Sequence, residues 1–152
     1  MPKKILVAID MSKMSEAVFS YGCSLALRLR DDVTFIHVTP HPTLWRGYEQ
    51  WLPAELNQEI EEVARKKLDY YYRKALEDMP ALGETKHELV VRQGNPADTI
   101  IEYAKEHSFD LIVIGYRGQS NIERLVVGST AANVARYAHC SVLIYRPGYD
   151  VL

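Results

Sequence analysis

Short apolar segments alternate with longer amphipathic segments along the whole chain. The apolar segments are rich in valine and isoleucine, which is typical of strands buried on both faces of a parallel sheet. They lie at residues 4–9, 32–38, 87–91, 110–115 and 141–145. Because an amphipathic segment separates each strand from the next, the pattern predicts βαβ units and a parallel sheet with helices on both faces.

The amphipathic segments predict four helices. Apolar residues recur at helical spacing in residues 18–29 and again in residues 56–75. The third helix begins with Asn95 as its expected N-cap and Pro96 at the first helical position. The fourth covers residues 129–138, "STAANVARYA".

The order of the strands decides where a ligand would bind. Five strands joined by right-handed crossovers are compatible with the order 3-2-1-4-5, in which strands one and four are central neighbours. Ligands of such sheets bind outside the carboxyl ends of the strands, where the order reverses. Asp10 and Gly115 would then face the same crevice. The predicted fold is a single Rossmann-like α/β domain spanning residues 1–152, with a five-stranded parallel sheet in that order.

Residues 39–53, after the second strand, form the one irregular segment. Three prolines interrupt any helix there, and the segment also contains Trp45 and Trp51. A loop of this length is typical of a lid or an interface element, and as a lid it would change its order when a ligand binds. In the alternative interpretation, the aromatic side chains fold back on the surface of the domain itself.

Composition excludes several classes of function. With 18 basic and 20 acidic residues among 152, the net charge is −2, so the chain has no general attraction for nucleic acid or for an anionic membrane. The N-terminus has neither the pattern of a signal peptide nor an apolar run that spans a bilayer. Cys23 and Cys140 lie far apart, which suits free thiols in a reducing compartment. A cytoplasmic location is therefore expected.

Three of the eight glycines, Gly115, Gly118 and Gly128, lie just after the fourth strand, and Ser129 and Thr130 follow the last of them. Glycine is favoured where φ is positive or where another group comes close to the backbone. The fourth helix begins at this point, and a helix N-terminus with hydroxyl side chains binds phosphate well. This stretch is therefore a candidate phosphate site.

Other phosphate motifs are absent from the sequence. It contains neither a Walker loop nor a G-x-G-x-x-G after the first strand. Arg117 and Arg124 lie in the glycine loop, where they could neutralise a polyphosphate or simply extend into solvent.

The spacing G-2x-G-9x-G-[ST] resembles that of the ATP-binding branch of the universal stress proteins. The resemblance covers essentially the whole chain, and it includes "VAIDMS" after the first strand, "GNPADTII" at the third helix and "HCSVLIYR" at the end. It implies a fold like that of the adenine nucleotide alpha hydrolases. It also implies positions beside the adenosine for Ala8, Asp10 and the Val38 backbone, positions by the ribose and phosphates for Ile114 and Gly115, and positions around the phosphate chain for Gly118, Gly128, Ser129 and Thr130.

Individual residues have alternative roles. Position 8 is alanine where many relatives carry proline, and Asp10 is also placed to cap the first helix together with Ser12. Gly22 lies within the first helix and is interpreted as a site of close helix–sheet packing. His37 is interpreted as a core or loop histidine, since no second ligand stands at metal-binding spacing from it.

The resemblance implies a nucleotide-dependent regulator or sensor in the stress response. The nucleotide would be ATP, ADP or AMP, with Mg²⁺ held through the phosphates and no metal held by protein ligands. No catalytic residue is predicted, because no general base is evident near the phosphate helix. Two alternatives stay open: a slow ATP hydrolase or nucleotidyl-transfer enzyme that uses the same crevice, and a non-catalytic dimeric interaction protein.

The last strand is expected to form a homodimer through residues 141–146. In the predicted order it is a sheet edge, and an apolar edge needs to be covered or paired. The family resemblance implies pairing across a two-fold axis. Val142 and Ile144 share one face of the strand, although packing in the domain's own core would also explain them.

Overall fold

The structure, a computed structural model, describes residues 2–40, 54–117 and 127–149. Strands and helices alternate through these ranges, as the hydrophobic pattern predicts. The strands are β1 (Lys4–Ala8), β2 (Asp32–Thr39), β3 (His87–Gln93), β4 (Leu111–Gly115) and β5 (Ser141–Tyr145), and the helices are α1 (Ser15–Leu29), α2 (Ala54–Asp78), α3 (Pro96–Glu106) and α4 (Ser129–Tyr137). A 3-10 helix, Pro80–Glu84, connects α2 to β3.

The sheet is parallel throughout, and its order is β3-β2-β1-β4-β5. The predicted order is therefore confirmed. Ala8 at the end of β1 lies in register with Ile36 of β2 on one side and with Ile114 of β4 on the other. The carboxyl ends of the three central strands consequently meet at one edge of the sheet.

Each face of the sheet has its own apolar core. Successive residues of β1 point to opposite faces, so Val7 joins the cluster under α1 and α2, whereas Leu6 joins the cluster under α3 and α4. In the first cluster the rings of Phe19 and Phe35 stack with centroids 3.7 Å apart. Because both faces are covered, the central strands contain almost only apolar residues.

Gly22 allows α1 to approach the sheet closely. A Cβ atom at this position would lie 2.7 Å from Cγ2 of Val7, which is closer than two carbon atoms can pack. The interpretation of Gly22 as a packing residue is therefore confirmed.

Helix α2 is longer than the sheet it covers. At 25 residues it extends about 37 Å, whereas the longest strand extends about 27 Å. The ring of Tyr71 packs 5.7 Å from that of Phe19, only four residues after the start of α1. In the part of α2 that precedes Tyr71, Ala64 and Leu68 are buried in the core, whereas Leu56, Ile60 and Val63 are exposed.

In the parts of the chain that the structure describes, no helix combines the length and the apolar composition needed to cross a membrane.

Candidate functional site

A cleft of about 340 Å³ opens at the carboxyl ends of β1, β2 and β4, beside the first turns of α1, α3 and α4. This is the place that the strand order predicts for a ligand. Eight of the nine predicted site residues line it, namely Ala8, Asp10, Val38, Ile114, Gly115, Gly128, Ser129 and Thr130. The ninth, Gly118, lies outside the described residues, as do Arg124 and residues 41–53 of the predicted lid.

The carboxylate of Asp10 organises the turn between β1 and α1. Its Oδ1 accepts hydrogen bonds from the Ser12 backbone N–H and from the Ser15 hydroxyl, each at 3.0 Å. Met11, which lies between Asp10 and Ser12, has a positive φ of 63°. The predicted alternative, in which Asp10 caps α1 together with Ser12, is wrong in detail, because the N-cap is Met14 and it is Ser12 Oγ that accepts a hydrogen bond from the Met14 backbone N–H, at 3.3 Å. Asp10 holds the turn while it also lines the cleft.

The packing of Val18 explains why position 115 is a glycine. A Cβ atom there would lie 3.1 Å from Cγ2 of Val18, so the glycine lets the end of β4 pack against α1. Among the described glycines only Gly94 and Gly148 have a positive φ. Gly115 therefore allows α1 to approach the end of β4 closely, and it does not serve a special backbone conformation.

Gly128 is the N-cap of α4, with φ −59° and ψ 152°. Its amide donates a hydrogen bond of 2.7 Å to the carbonyl of Tyr116, which closes the glycine loop. The Gly128 amide is therefore already hydrogen-bonded within the protein. Ser129, Thr130 and Ala131 form the first turn of α4, where backbone amides have no acceptor within the helix. A phosphate at the cleft would meet these three amides and two hydroxyls.

Arg117 adds a cation to the residues that line the cleft. Its Nη2 atom is buried and has no hydrogen-bond partner in the structure as far as it is described. A buried donor without a partner costs about 1–3 kcal/mol, and more when it is charged. An anionic ligand would remove that cost with a charge-assisted hydrogen bond.

His37 lines the cleft, although the sequence suggested only a core or loop histidine. Its Nδ1 lies 2.6 Å from the carbonyl oxygen of Ile9, which can only accept, so Nδ1 carries the hydrogen. Burial lowers the pKa of His37 from its usual 6.5, and the charge of Lys67 also lowers it. The hydrogen bond to Ile9 and the charge of Asp10 act in the opposite direction but do not outweigh these effects. The imidazole is therefore neutral at pH 7.

Replacing His37 is expected to change how stability depends on pH. Well above pH 6.5 the imidazole is neutral in the folded and the unfolded chain, so it contributes no pH dependence. Below pH 6.5 the unfolded chain binds the proton first, so the free energy of unfolding decreases until the pH passes the lowered folded-state pKa. Urea titrations between pH 7.5 and pH 4.5 should show that His37→Gln loses this decrease. The control His139→Gln, at an exposed position, should keep it; equal slopes in His37→Gln and the parent would contradict the prediction.

Both cysteines are free thiols, as expected. Cys23 is buried in the core, and burial raises its pKa to about 12. Burial also raises the pKa of Cys140. Within the described ranges, no three His, Cys, Asp or Glu side chains are grouped so that they could hold a metal ion.

The sequence model of the universal stress protein family matches residues 1–146. The chain belongs to this family. The resemblance inferred from the glycine spacing and the strand ends is therefore confirmed.

Individual members of the family match over nearly their whole length. Universal stress protein A homolog 1 of Coxiella burnetii is 32% identical over 143 residues, which make up 93% of this chain and 94% of that protein. The structure of UspA from Lactobacillus plantarum matches with a TM-score of 0.65 and 28% identity, covering 95% of this chain and 97% of that one. A crystal structure of a universal stress protein in complex with cAMP matches with a TM-score of 0.64 and 26% identity over 95% and 97% of the two chains.

Several residues of the cleft were not predicted from the sequence. The sequence placed Arg117 in the glycine loop, but the burial of its Nη2 atom is seen only in the structure. Others lie on elements whose packing brings them to the cleft, including Ile9, Ser15, Val18, Ile36, His37, Pro96, Ile100 and Ala131. The signal available for His37 was its place one residue before the end of the predicted second strand.

Proposed function

We propose that this universal stress protein binds an adenine nucleotide in the cleft and acts in the cytoplasm as a nucleotide-dependent regulator of the stress response. The observation that carries the proposal is the division of the cleft into an apolar part and a cationic, amide-rich part. A nucleotide has the same division, with a flat aromatic base that packs through its apolar faces at one end and phosphates at the other.

The apolar part would hold the base and the ribose. Ala8, Val38 and Ile114 lie at the ends of three adjacent strands and are 6–8% exposed. A volume of about 340 Å³ is within the range of small-ligand sites. The related protein that has been crystallised in complex with cAMP supports an adenine compound as the occupant.

The other part would hold the phosphates. The first turn of α4 offers the amides and hydroxyls of Ser129 and Thr130 together with the positive end of the helix dipole. Arg117, which also lines the cleft, adds a full positive charge. This much positive potential suits a phosphate chain, as in ATP, with Mg²⁺ carried by the phosphates.

Regulation by binding is favoured over catalysis. Asp10 is the single carboxylate among the described lining residues, and its Oδ1 already accepts two hydrogen bonds within the turn. Phosphoryl transfer needs an oriented nucleophile or base beside the phosphate. We expect phosphate release well below about 1 s⁻¹, the lower end of the usual enzyme range. Faster turnover in a steady-state assay would favour the hydrolase instead.

The direct test is the nucleotide itself. The purified protein would be denatured and the released small molecules identified by mass spectrometry, followed by calorimetric titration of the emptied protein with ATP, ADP, AMP and GTP. We expect an adenine nucleotide to be recovered and to bind more tightly than GTP. Absence of binding to all four nucleotides would overturn the proposal.

Arg117→Ala is expected to weaken ATP binding by about tenfold to a hundredfold, because a charge-assisted hydrogen bond contributes about 1.5–3 kcal/mol. AMP should lose less, since its single phosphate leaves less charge to neutralise. Calorimetry would measure both affinities. The matched control is Arg136→Ala, which removes an exposed arginine from the last turn of α4. Unchanged ATP affinity in Arg117→Ala would show that the guanidinium does not meet the phosphates.

We also propose that the chain forms a homodimer through β5. The strand is at one edge of the sheet, and Ile144 on it is 37% exposed. Edge strands with apolar residues are usually paired or covered. Sedimentation at micromolar concentration should give twice the chain mass of 17.4 kDa, and a mass of one chain would contradict this pairing.

A further inference from the structure

Helix α2 carries a stripe of exposed apolar residues on its flank, beside the face that contains the buried Ala64, Leu68 and Tyr71. The stripe consists of Leu56, Ile60, Val63 and Tyr70, whose exposed fractions are 36%, 38%, 65% and 53%. At about 100° per residue, these positions fall within about 80° of the helix circumference and form one continuous strip. A contiguous exposed apolar strip of this kind marks an interaction surface.

The stripe is symmetric about Val63. Leu56 lies seven residues before Val63, and Tyr70 lies seven residues after it. If a second α2 packed antiparallel with a two-fold axis at Val63, Val63 would meet its own copy. Leu56 would meet Tyr70 of the second copy at both ends of the contact. This is the arrangement that an isologous interface requires.

The charges along one edge of the stripe follow the same symmetry. Glu59 and Lys66 lie about 20° apart on that edge, four residues before and three residues after Val63. Both are exposed, and neither forms an ion pair with any residue that the structure describes. In the antiparallel arrangement each Glu59 would face Lys66 of the second copy, so two ion pairs of opposite charge would form.

The residues on the opposite edge of the stripe also fit the antiparallel arrangement. Ile60 and Lys67 lie there, again seven residues apart, three residues before and four residues after Val63. The apolar stem of Lys67 would cover Ile60 of the second copy while its ammonium group stays in water. No like charges would meet in this register.

We propose that α2 is a docking surface for a second copy of this chain, which packs antiparallel across a two-fold axis at Val63. The surface is separate from β5, which lies at the far end of the sheet order from the strands that α2 covers. With pairing through β5, docking through α2 joins the resulting dimers into larger assemblies, which close at four chains where the two two-fold axes intersect at right angles. Without pairing through β5 it produces a two-chain assembly, so the two contacts can be tested separately.

The test is the mass of the full-length protein as a function of its concentration, measured by sedimentation equilibrium. Val63→Glu places two carboxylates on the two-fold axis, and we expect it to reduce the largest assembly to the mass that the protein reaches without the α2 contact. Leu29→Glu is the matched control, because Leu29 is an exposed apolar residue at the end of α1, and its mass curve should equal that of the parent. Ile144→Lys removes the β5 contact independently, and the double variant should be a monomer.

Charge exchange tests the register. Glu59→Lys makes lysines face each other at two places, and Lys66→Glu does the same with glutamates. Each should weaken the α2 contact by about tenfold, given the small contribution of each exposed pair. The double variant Glu59→Lys, Lys66→Glu restores opposite charges and should regain the parent mass curve. The proposal is overturned if Val63→Glu leaves the curve unchanged, or if the double exchange associates as weakly as the single variants.

Discussion

Replacing Gly128 by aspartate is expected to abolish nucleotide binding while the fold is kept or stabilised. The side chain of an N-cap residue lies over the second and third amides of its helix, which is the place where we put the phosphates. An aspartate there would bond to the amides of Thr130 and Ala131 itself and would repel an anionic ligand. The φ of Gly128, −59°, is accessible to any residue, so the backbone need not move.

Calorimetry with ATP and thermal denaturation would be measured on the same samples. Gly128→Asp should lose at least a hundredfold in affinity, which is about 2.7 kcal/mol, and Gly128→Val should lose affinity by bulk alone. Ser129→Ala removes one hydroxyl and should cost about 1 kcal/mol. Gly83→Asp introduces the same charge at an exposed site away from the cleft and should bind like the parent. If Gly128→Asp bound ATP as tightly as the parent, the N-terminus of α4 would not be the phosphate site.

Gly22→Ala is expected to lower the free energy of unfolding by about 2 kcal/mol, because the new methyl group would overlap Val7 in a close-packed core. A Cβ atom at Gly22 would also lie 3.3 Å from the ring of Phe35, so the helix has no room to shift sideways. Urea denaturation would measure the change as a lower midpoint with an unchanged slope.

Two variants provide the controls for Gly22. Gly83→Ala makes the same chemical change where the Cβ would lie 3.6 Å from Leu76, an ordinary contact, and it should be nearly neutral. In a Val7→Ala background, Gly22→Ala should cost little or become stabilising, because the overlap is gone and alanine is the better helix former. An equal loss in both backgrounds would mean that the cost does not come from Val7.

The candidate site was predictable as far as it depends on strand ends. Parallel strands bring their carboxyl ends to one edge, so Asp10 and Gly115 could be placed together from the strand order alone. The roles of individual atoms could not be derived in this way. The Gly128 amide is taken by the Tyr116 carbonyl, and Gly115 is required by the packing of Val18, because each contact joins elements whose separation depends on the packed fold.

Sequence periodicity by itself determined the main elements of this protein and their βαβ alternation, and it limited the order of the sheet to the few that the crossovers permit, one of which the structure confirms. These properties are local or follow from chain connectivity, so they can be derived from residue spacing. Only the tertiary structure decided which apolar faces are buried. Leu56, Ile60 and Val63 have helical spacing, as Leu68 and Ala75 do, but they remain exposed, whereas Ala64, one residue after Val63 and about 100° around the helix, is buried. Burial depends on what lies opposite a residue, and in this fold those partners are distant in sequence.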